Sequence, residues 1–401
     1  MGAIRSSQLA PEAADDSVGL PGWIYHDPDF FEAEKRAVFR QSWQIVCHLS
    51  DIPQAGDFHT LEFLGESIVV VRGDDQKVRA FHNVCRHRAS RVVDGPAGNC
   101  GMRMTCPYHA WSYDLRGRLA GVPHAKAFET FDQASHNLVP VEIEVCLGFV
   151  FIRLEAGLPT VREMLGAYYN EMEPYRMEEL QPLGRVTLRE REVNWKNVSD
   201  NYSDSLHITV AHPGLTRLFG AGYGLEASAW CDKMWGALRD TPSDNWSERR
   251  YQALLPVVEH LPPERRRLWT YFKLWPNCAF DIYPDQIDFM QFLPVSPTKT
   301  LLREIAYVLP DERREIAYVL PDDRREMRAT RYLNWRVNRQ VNIEDKALIE
   351  RVQAGMASSS YTMGPLSVNE VALKSFSRRM RDLIPQSREP VAPAPGWGRL
   401  G

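Results

Sequence analysis

The chain has 401 residues, 44% apolar and 25% charged, and its 48 Lys plus Arg against 52 Asp plus Glu leave a net charge of −4. That composition excludes collagenous, disulfide-dense and natively unstructured classes, and the near-neutral balance excludes nucleic-acid binding through bulk positive charge. No apolar run approaches the ~20 residues that span a bilayer, and the length suffices for two or three domains with cores of their own.

Met1–Ser6 lacks an apolar signal region, so no secretory signal is expected; Gly2 and Ser6 fit only the short, common myristoylation pattern. Residues 1–22 read as a loose polar arm. Asp27-Pro28 predicts a helix start, with Phe31, Val38 and Trp43 as apolar contacts. From Asp51 to Glu155 short strands are predicted at Ser67–Arg72, Val78–Val84, Trp111–Leu115 and Val141–Leu154, with Arg116-Gly117 as a hairpin turn. This is the pattern of an all-β domain.

After Gly157 the signals mix, as an α+β domain requires. A strand is predicted at Val186–Val193, a helix at Asn194–Val210, antiparallel strands at Ala279–Tyr283, Asp288–Leu293 and Leu301–Leu309, and a long helix at Asn334–Gln353. That last helix spaces Val337, Val341, Leu348 and Val352 along one face. Thr216–Arg267 reads as irregular cover for a pocket, and the Pro-rich tail after Pro385 as extended surface chain. Arg303–Arg313 is repeated almost identically as Arg314–Arg324. A single tandem copy is no solenoid, so one copy is expected as a surplus hairpin or loop at the sheet edge.

Two constellations carry chemistry. The first is Cys85-Arg86-His87, eighteen residues, then Cys106-Pro107-Tyr108-His109. Two thiolates and two imidazoles can hold one zinc ion or a two-iron cluster. One Cys and one His on each loop suits the cluster, with one iron on the thiolates and the other on the imidazoles. Cys100 stands between the loops and outside the pattern. Seven scattered cysteines fit a reducing compartment, with the cytoplasm as the expectation.

The second is Asp204-x-x-His207-x-x-x-x-His212. On a helix Asp204 and His207 would share a face, and His212 would lie at the frayed end before Pro213. Two histidines with one carboxylate is the donor set by which non-haem Fe(II) oxygenases leave positions open for O2 and substrate.

Cys85–Arg88 and Cys106–Trp111 resemble the Rieske [2Fe–2S] motif. Asn194-Trp195-Lys196, Asp200-Asn201-Tyr202 and Asp204–His212 resemble the catalytic helix of Rieske non-haem iron oxygenases, in their α (terminal oxygenase) subunits. The resemblance runs in order over nearly the whole chain. It implies an N-terminal arm and helix (1–45) packed on the catalytic domain, a Rieske domain (46–156), and a mononuclear-iron domain (157–401). The last would be antiparallel sheet covered by helices, of helix-grip or START-like form. It also implies Cys85, His87, Cys106 and His109 as cluster ligands, and His207 and His212 as ligands of a mononuclear Fe(II). Asp345 becomes the third ligand, with Glu344 pointing elsewhere. Asn201 and Asp204 become catalytic residues, Asp204 as the carboxylate that bridges one subunit's cluster to the next subunit's iron.

The same resemblance implies activation of O2 with electrons from NAD(P)H, delivered by a separate reductase directly or through a ferredoxin. Gly220–Leu225 fails the Gly-x-Gly-x-x-Gly pattern, in keeping with that division. A head-to-tail homo-oligomer, a cyclic trimer, is expected, with neither membrane nor nucleic acid as partner. The expected substrate is an arene, hydroxylated or O-demethylated, with Trp230, Trp235, Trp269, Tyr271, Phe272 and Trp275 as candidate pocket walls. Arg217 is a candidate partner for a substrate carboxylate. The alternative is oxidative N-demethylation or monooxygenation of a betaine-like quaternary ammonium compound. A non-enzymatic electron carrier or ligand-binding protein is the third reading, and neither would need the second metal set.

Overall fold

The structure is a computed structural model that describes residues 17–128, 130–183, 186–308 and 325–399. It divides into a β unit of residues 40–161 with 177–180, and an α+β unit that includes 17–39, 162–176 and 181–399. Among the described residues, no helix is long and apolar enough to cross a membrane.

The β unit holds β1 (Gln44–His48), β2 (Asp57–Phe63), β3 (Glu66–Arg72), β4 (Val78–His82), β5 (Ala97–Asn99), β6 (Arg103–Thr105), β7 (Ser112–Asp114), β8 (Leu119–Gly121), β9 (Pro140–Cys146) and β10 (Phe149–Arg153). One antiparallel sheet runs β1-β10-β9-β4-β3-β2-β5, and a smaller one runs β6-β7-β8. β3 lies inside the sheet, between β4 and β2, and its Ile68-Val69-Val70-Val71 is β-branched throughout and buried on both faces. The single strand predicted at Val141–Leu154 is instead the β9–β10 hairpin. Its two turn residues, Leu147 and Gly148, take φ of 52° and 76°, the left-handed pair that such a short connection needs. At the β7–β8 turn Gly117 has φ 79°, and a Cβ there would meet the Phe81 ring at 2.4 Å. Only glycine fits.

The α+β unit begins with α1 (Pro28–Glu34), where the Asp27 carboxylate caps the Phe30 N–H at 2.6 Å and Pro28 takes the first helical position. Short helices α2 (Val161–Leu165) and α3 (Tyr168–Met172) come next in the chain. β11 (Gln181–Pro182), β12 (Thr187–Arg191), β13 (Gly224–Ala227), β14 (Cys231–Ala237), β15 (Leu268–Leu274), β16 (Cys278–Ile282), β17 (Ile287–Ser296) and β18 (Lys299–Val308) follow. They form an antiparallel sheet in the order β11-β18-β17-β16-β15-β14-β13, with β12 also on β18. Its helices are α4 (Trp195–Ser203), α5 (Ile208–Ala211), α6 (Pro213–Phe219), α7 (Trp246–Leu254), α8 (Arg325–Met356) and α9 (Val371–Leu383).

The stretch read as irregular, 216–267, therefore contains α6, β13, β14 and α7, and α9 was not foreseen either. β14 and β15 mix charged and apolar residues without clean alternation, so period alone does not reveal them. Helix α8 starts nine residues before the predicted Asn334, and its buried side is set by Val337 and Ile349, while Val352 is exposed. Val341, Asp345 and Ile349 share that face at spacings of four.

Trp195, fully buried at the start of α4, packs edge-on to Phe39 at 4.8 Å and to Phe376 of α9 at 5.6 Å. The adjacent Lys196 pairs with Glu34 of α1 at 2.7 Å, both completely buried, and donates to the Ile24 carbonyl at 3.0 Å. Burial pushes the Glu34 carboxyl up and the Lys196 ammonium down. Removing either partner would strand a charge in the core. The tail is not merely surface chain: Trp397 packs edge-on against Trp23 at 6.1 Å. Arg303–Val308 of the duplicated segment ends β18, whereas residues 309–324, the rest of the duplication, lie outside the described residues.

Candidate functional site

In the β unit the two Cys-x-x-x-x turns are built alike. The Ala89 N–H returns to the Cys85 carbonyl and the Ala110 N–H to the Cys106 carbonyl, each at 3.0 Å, with φ of 57° and 55° at the two alanines. Left-handed alanine costs about 1–2 kcal/mol, which the repeated turn geometry must outweigh. Both thiols are buried in the domain core, whereas His87 is half-buried and His109 exposed. The Tyr113 hydroxyl lies 3.4 Å from Cys85 Sγ and accepts the Arg86 N–H at 2.9 Å. His87 stacks on Trp111 with ring centroids 4.8 Å apart and lies 4.6 Å from the His109 ring.

Two features fit a cluster with these residues. His87 Nδ1 is buried and has no hydrogen-bond partner, so it is free to ligate. Desolvation, then the neighbouring His109 and Arg88, holds the His87 imidazolium below its usual range, which favours the neutral, ligating form. Among the described residues, Cys85, His87, Cys106 and His109 do not bring three donor atoms within 4.8 Å of one another. A single tetrahedral zinc would draw its donors that close; a two-iron cluster spreads them.

In the α+β unit the helix predicted at Asn194–Val210 is broken. Asn194 caps α4 through the Lys196 N–H, and Asp204 ends it in extended conformation, φ −82° and ψ 131°. Asp204 thus shares no helical face with His207. Its carboxylate instead caps the next turn, accepting the Leu206 N–H at 2.8 Å and the His207 N–H at 3.2 Å. Pro213 bars the preceding residue from helical backbone, so His212 takes φ −115° and ψ 75° between α5 and α6. That kink turns its ring toward His207.

The result is a three-donor group: His207, His212 and Asp345 have their ligating atoms within 4.8 Å of one another. The two Nε2 atoms are 3.1 Å apart, and Asp345 Oδ1 lies 3.0 Å from His212 Nε2 and 3.7 Å from His207 Nε2. Asp345 Oδ1 is buried yet accepts no hydrogen bond, as a metal-binding oxygen would be left without its ion. Two nitrogens and one carboxylate oxygen suit a mononuclear Fe(II) with open positions. Asn201 Nδ2 stands 3.5 Å from His207 Nε2. The far nitrogens are also held: His207 Nδ1 donates to Asp204 Oδ2 and His212 Nδ1 to Glu344 Oε2, both at 2.8 Å. Glu344, expected to point elsewhere, faces His212 directly.

These residues open onto a cavity of about 560 Å³. Its sheet side carries Asp281 of β16 and Asp288 of β17, direct cross-strand neighbours, and Glu304 of β18. Tyr202, Tyr223, Tyr271 and Tyr283 complete that end. The Tyr202 hydroxyl donates to Asp281, and the Gln286 amide donates to both Asp288 oxygens at 3.0 and 3.1 Å. Glu304 pairs with Arg189 at 2.7 Å. Among the described residues, Asp281 and Asp288 meet no cationic side chain. Burial pushes the Asp281 carboxyl up to about 7, and burial followed by the Asp281 charge raises Asp288 well above the usual carboxylate range.

Of the aromatic residues proposed from sequence as walls, Tyr271 alone lines this cavity. Trp269 and Phe272 are fully buried core, Trp230 and Trp275 pack beneath the Arg379 guanidinium, and Trp235 lies under Lys233. Arg217 is gripped by Glu248 at 2.6 and 2.9 Å and does not line the cavity. The acids at 281, 288 and 304 were missed, because lone carboxylates on separate strands carry no signal until the sheet aligns them.

Residues 42–132 match the family model for the Rieske [2Fe–2S] domain, and residues 172–386 that for the ring hydroxylating alpha subunit (catalytic domain). The oxygenase subunit of carnitine monooxygenase from Escherichia coli is 33% identical over 354 residues, which cover 85% of each chain. The oxygenase subunit of glycine betaine monooxygenase from Pseudomonas aeruginosa is 35% identical over 203 residues, 51% of this chain and 47% of that protein. A solved quaternary ammonium Rieske monooxygenase superimposes with a TM-score of 0.77 at 25% identity, over 95% of this chain and 100% of its own.

Proposed function

This chain belongs to the family of Rieske oxygenase α subunits, and from that premise we propose that it is the oxygenase component of a quaternary ammonium monooxygenase. As a member of that family it is an oxidoreductase carrying a [2Fe–2S] cluster and a mononuclear iron. The expectation of an arene substrate gives way to the alternative, because the similar proteins named above act on carnitine, glycine betaine and other quaternary ammonium compounds.

The observation that carries this reading is the state of Asp281 and Asp288. Their oxygens already receive hydrogen bonds from neutral groups, and burial raises both carboxyls, so a cation beside them is what would favour their ionised forms. A ligand that supplies positive charge without N–H donors, ringed by tyrosine faces, meets that need. A quaternary ammonium group is such a ligand. An uncharged arene would leave the carboxyls as they are.

When bound, the cluster passes electrons singly and the ferrous ion activates O2; Cys85, His87, Cys106 and His109 would hold the first, and His207, His212 and Asp345 the second. Asp204 and Glu344 keep the hydrogens of both imidazoles on Nδ1, so both Nε2 atoms face Asp345. The acid-and-tyrosine end anchors the cation, which sets a carbon next to nitrogen toward the donor triad. The balanced reaction is R–CH2–N⁺R′3 + O2 + 2e⁻ + 2H⁺ → R–CHO + HN⁺R′3 + H2O. One oxygen atom enters the C–H bond, the resulting hydroxylated carbon loses its C–N bond, and the hydroxyl proton passes to the departing amine. The two electrons come from NAD(P)H through a separate reductase. Subunits assemble head to tail in a ring, so that Asp204 of one meets the cluster domain of the next.

Asp281 provides the test. A quaternary cation keeps its charge at every pH, so pH acts on the site alone. Asp281 is ionised above about pH 7 and protonated below it, facing Asp288, Glu304, Tyr202, Tyr271 and Tyr283. KM for the cation should therefore rise as pH falls through 7 toward 6. Removing the charge by Asp281→Asn should raise KM at pH 8 about 10- to 100-fold, the worth of one partly screened charge at contact distance, and flatten the pH profile. Equal KM values for wild type and Asp281→Asn across this range would defeat the cation assignment.

A further inference from the structure

We propose that Glu344 is a positioning residue of the mononuclear site, holding the His212 ring in the one orientation and tautomer that presents Nε2 to the donor triad, with Gln340 bracing it from behind. The inference rests on the family reading, since it concerns that family's second metal.

Consecutive residues on a helix point about 100° apart, yet Glu344 and Asp345 of α8 both reach His212. Glu344 Oε2 meets Nδ1 at 2.8 Å, and Asp345 Oδ1 lies 3.0 Å from Nε2 on the other side of the ring. The ring is wedged between two neighbouring carboxylates. A carboxylate of this kind accepts and does not donate, so the shared hydrogen belongs to Nδ1 and the Nε2 lone pair faces the triad. His212 is 1% exposed, and Glu344 is the acceptor that covers its Nδ1–H. Without it, Nδ1–H would lose its fixed acceptor, and the ring could respond by flipping carbon toward the metal position or by moving its hydrogen to Nε2. Either change removes a ligand. Glu344 is itself constrained: its other oxygen accepts from Gln340 Nε2 at 2.9 Å, one turn earlier on α8. His207 has the equivalent support from Asp204, which stands where α4 ends, on a different element. Each histidine thus has its own acceptor, and only Glu344 lies on the helix that also carries the carboxylate ligand. Acceptors in this role commonly account for 10- to 100-fold in metal affinity.

The test uses the full-length protein with its cluster intact and the ferrous site stripped, then titrated anaerobically with Fe(II) against a chelator. Glu344→Ala should raise the Fe(II) dissociation constant about 10- to 100-fold and alter the EPR spectrum of the nitric oxide adduct, with acid-labile sulfide unchanged. Glu344→Gln, whose amide oxygen can still accept from Nδ1, should recover most of the affinity and the wild-type spectrum. Should Glu344→Ala fail to fold, Gln340→Ala decides the matter, with an expected rise of roughly 3- to 10-fold. Wild-type affinity and spectrum in the alanine variants would overturn the proposal, as would a Glu344→Gln protein no better than Glu344→Ala. Failure of the family reading would look different: wild-type protein would itself take up no ferrous ion beside its cluster.

Discussion

Replacing His207 by alanine is expected to abolish oxygenation, by at least about three orders of magnitude, while sparing the cluster. The wild-type chain should carry about three irons and two acid-labile sulfides, one [2Fe–2S] cluster plus one ferrous ion. His207→Ala removes one of three donors that converge within 4.8 Å; the remaining His212 and Asp345 leave a bidentate site that should not retain iron. The count should fall to about two irons, with both sulfides and the cluster's visible absorption intact. Cys85→Ser makes the reciprocal lesion. Cys85 is buried beneath Tyr113 and supplies one of two thiolates, so sulfide should disappear while the ferrous site still binds its ion. The two variants together separate the centres. Zinc in stoichiometric amount with no sulfide, or a His207→Ala enzyme that still turns over, would contradict the assignment.

The second large effect is expected at Asp204. Leu206 and His207 N–H are capped by different oxygens of Asp204, of which asparagine keeps one, so the turn after α4 should survive with one cap fewer. What is lost is the negative charge beside His207 Nδ1 and the acceptor offered to a neighbouring subunit. If Asp204 links that neighbour's His109 to this subunit's iron, Asp204→Asn loaded to saturation with Fe(II) should keep its cluster yet transfer electrons at least about 10- to 100-fold more slowly. The informative readout is a single turnover: the prereduced cluster should reoxidise slowly after O2 and substrate are added. Reoxidation at the wild-type rate, or full activity from monomers at high dilution, would refute the inter-subunit role.

The parts of this site that could be read from sequence are those in which the chemistry is local. Cys85-x-His87 and Cys106-x-x-His109 place donors on adjacent residues of two turns, so the motif and the geometry are nearly the same statement. His207 and His212 were also legible, although the physical picture differed: the helix stops at Asp204 and again before Pro213, and these interruptions aim the rings. Asp345 was reached through resemblance alone, since an acid on a helix ordinarily faces water. Glu344 was misjudged because helix geometry separates neighbours by 100°, while the His212 ring is broad enough to touch both.

The substrate end was not legible for a different reason. Asp281 and Asp288 sit opposite each other only because β16 and β17 pair in that register, and Tyr202 reaches them from α4. Nothing in the local sequence marks such a convergence. The tryptophans looked like better pocket walls because they are larger, but large apolar rings are what a sheet-and-helix core consumes first, and Trp269 is buried completely.

The most direct measurement is product analysis. Purified chain, reconstituted with a Rieske-type reductase and NADH, is given carnitine, glycine betaine and a set of neutral and anionic arenes. The account predicts that a quaternary ammonium compound is cleaved to an aldehyde and an amine, one of each per O2 consumed and per NADH oxidised, with no arene hydroxylated at a comparable rate. Hydroxylated arene without amine release would contradict it.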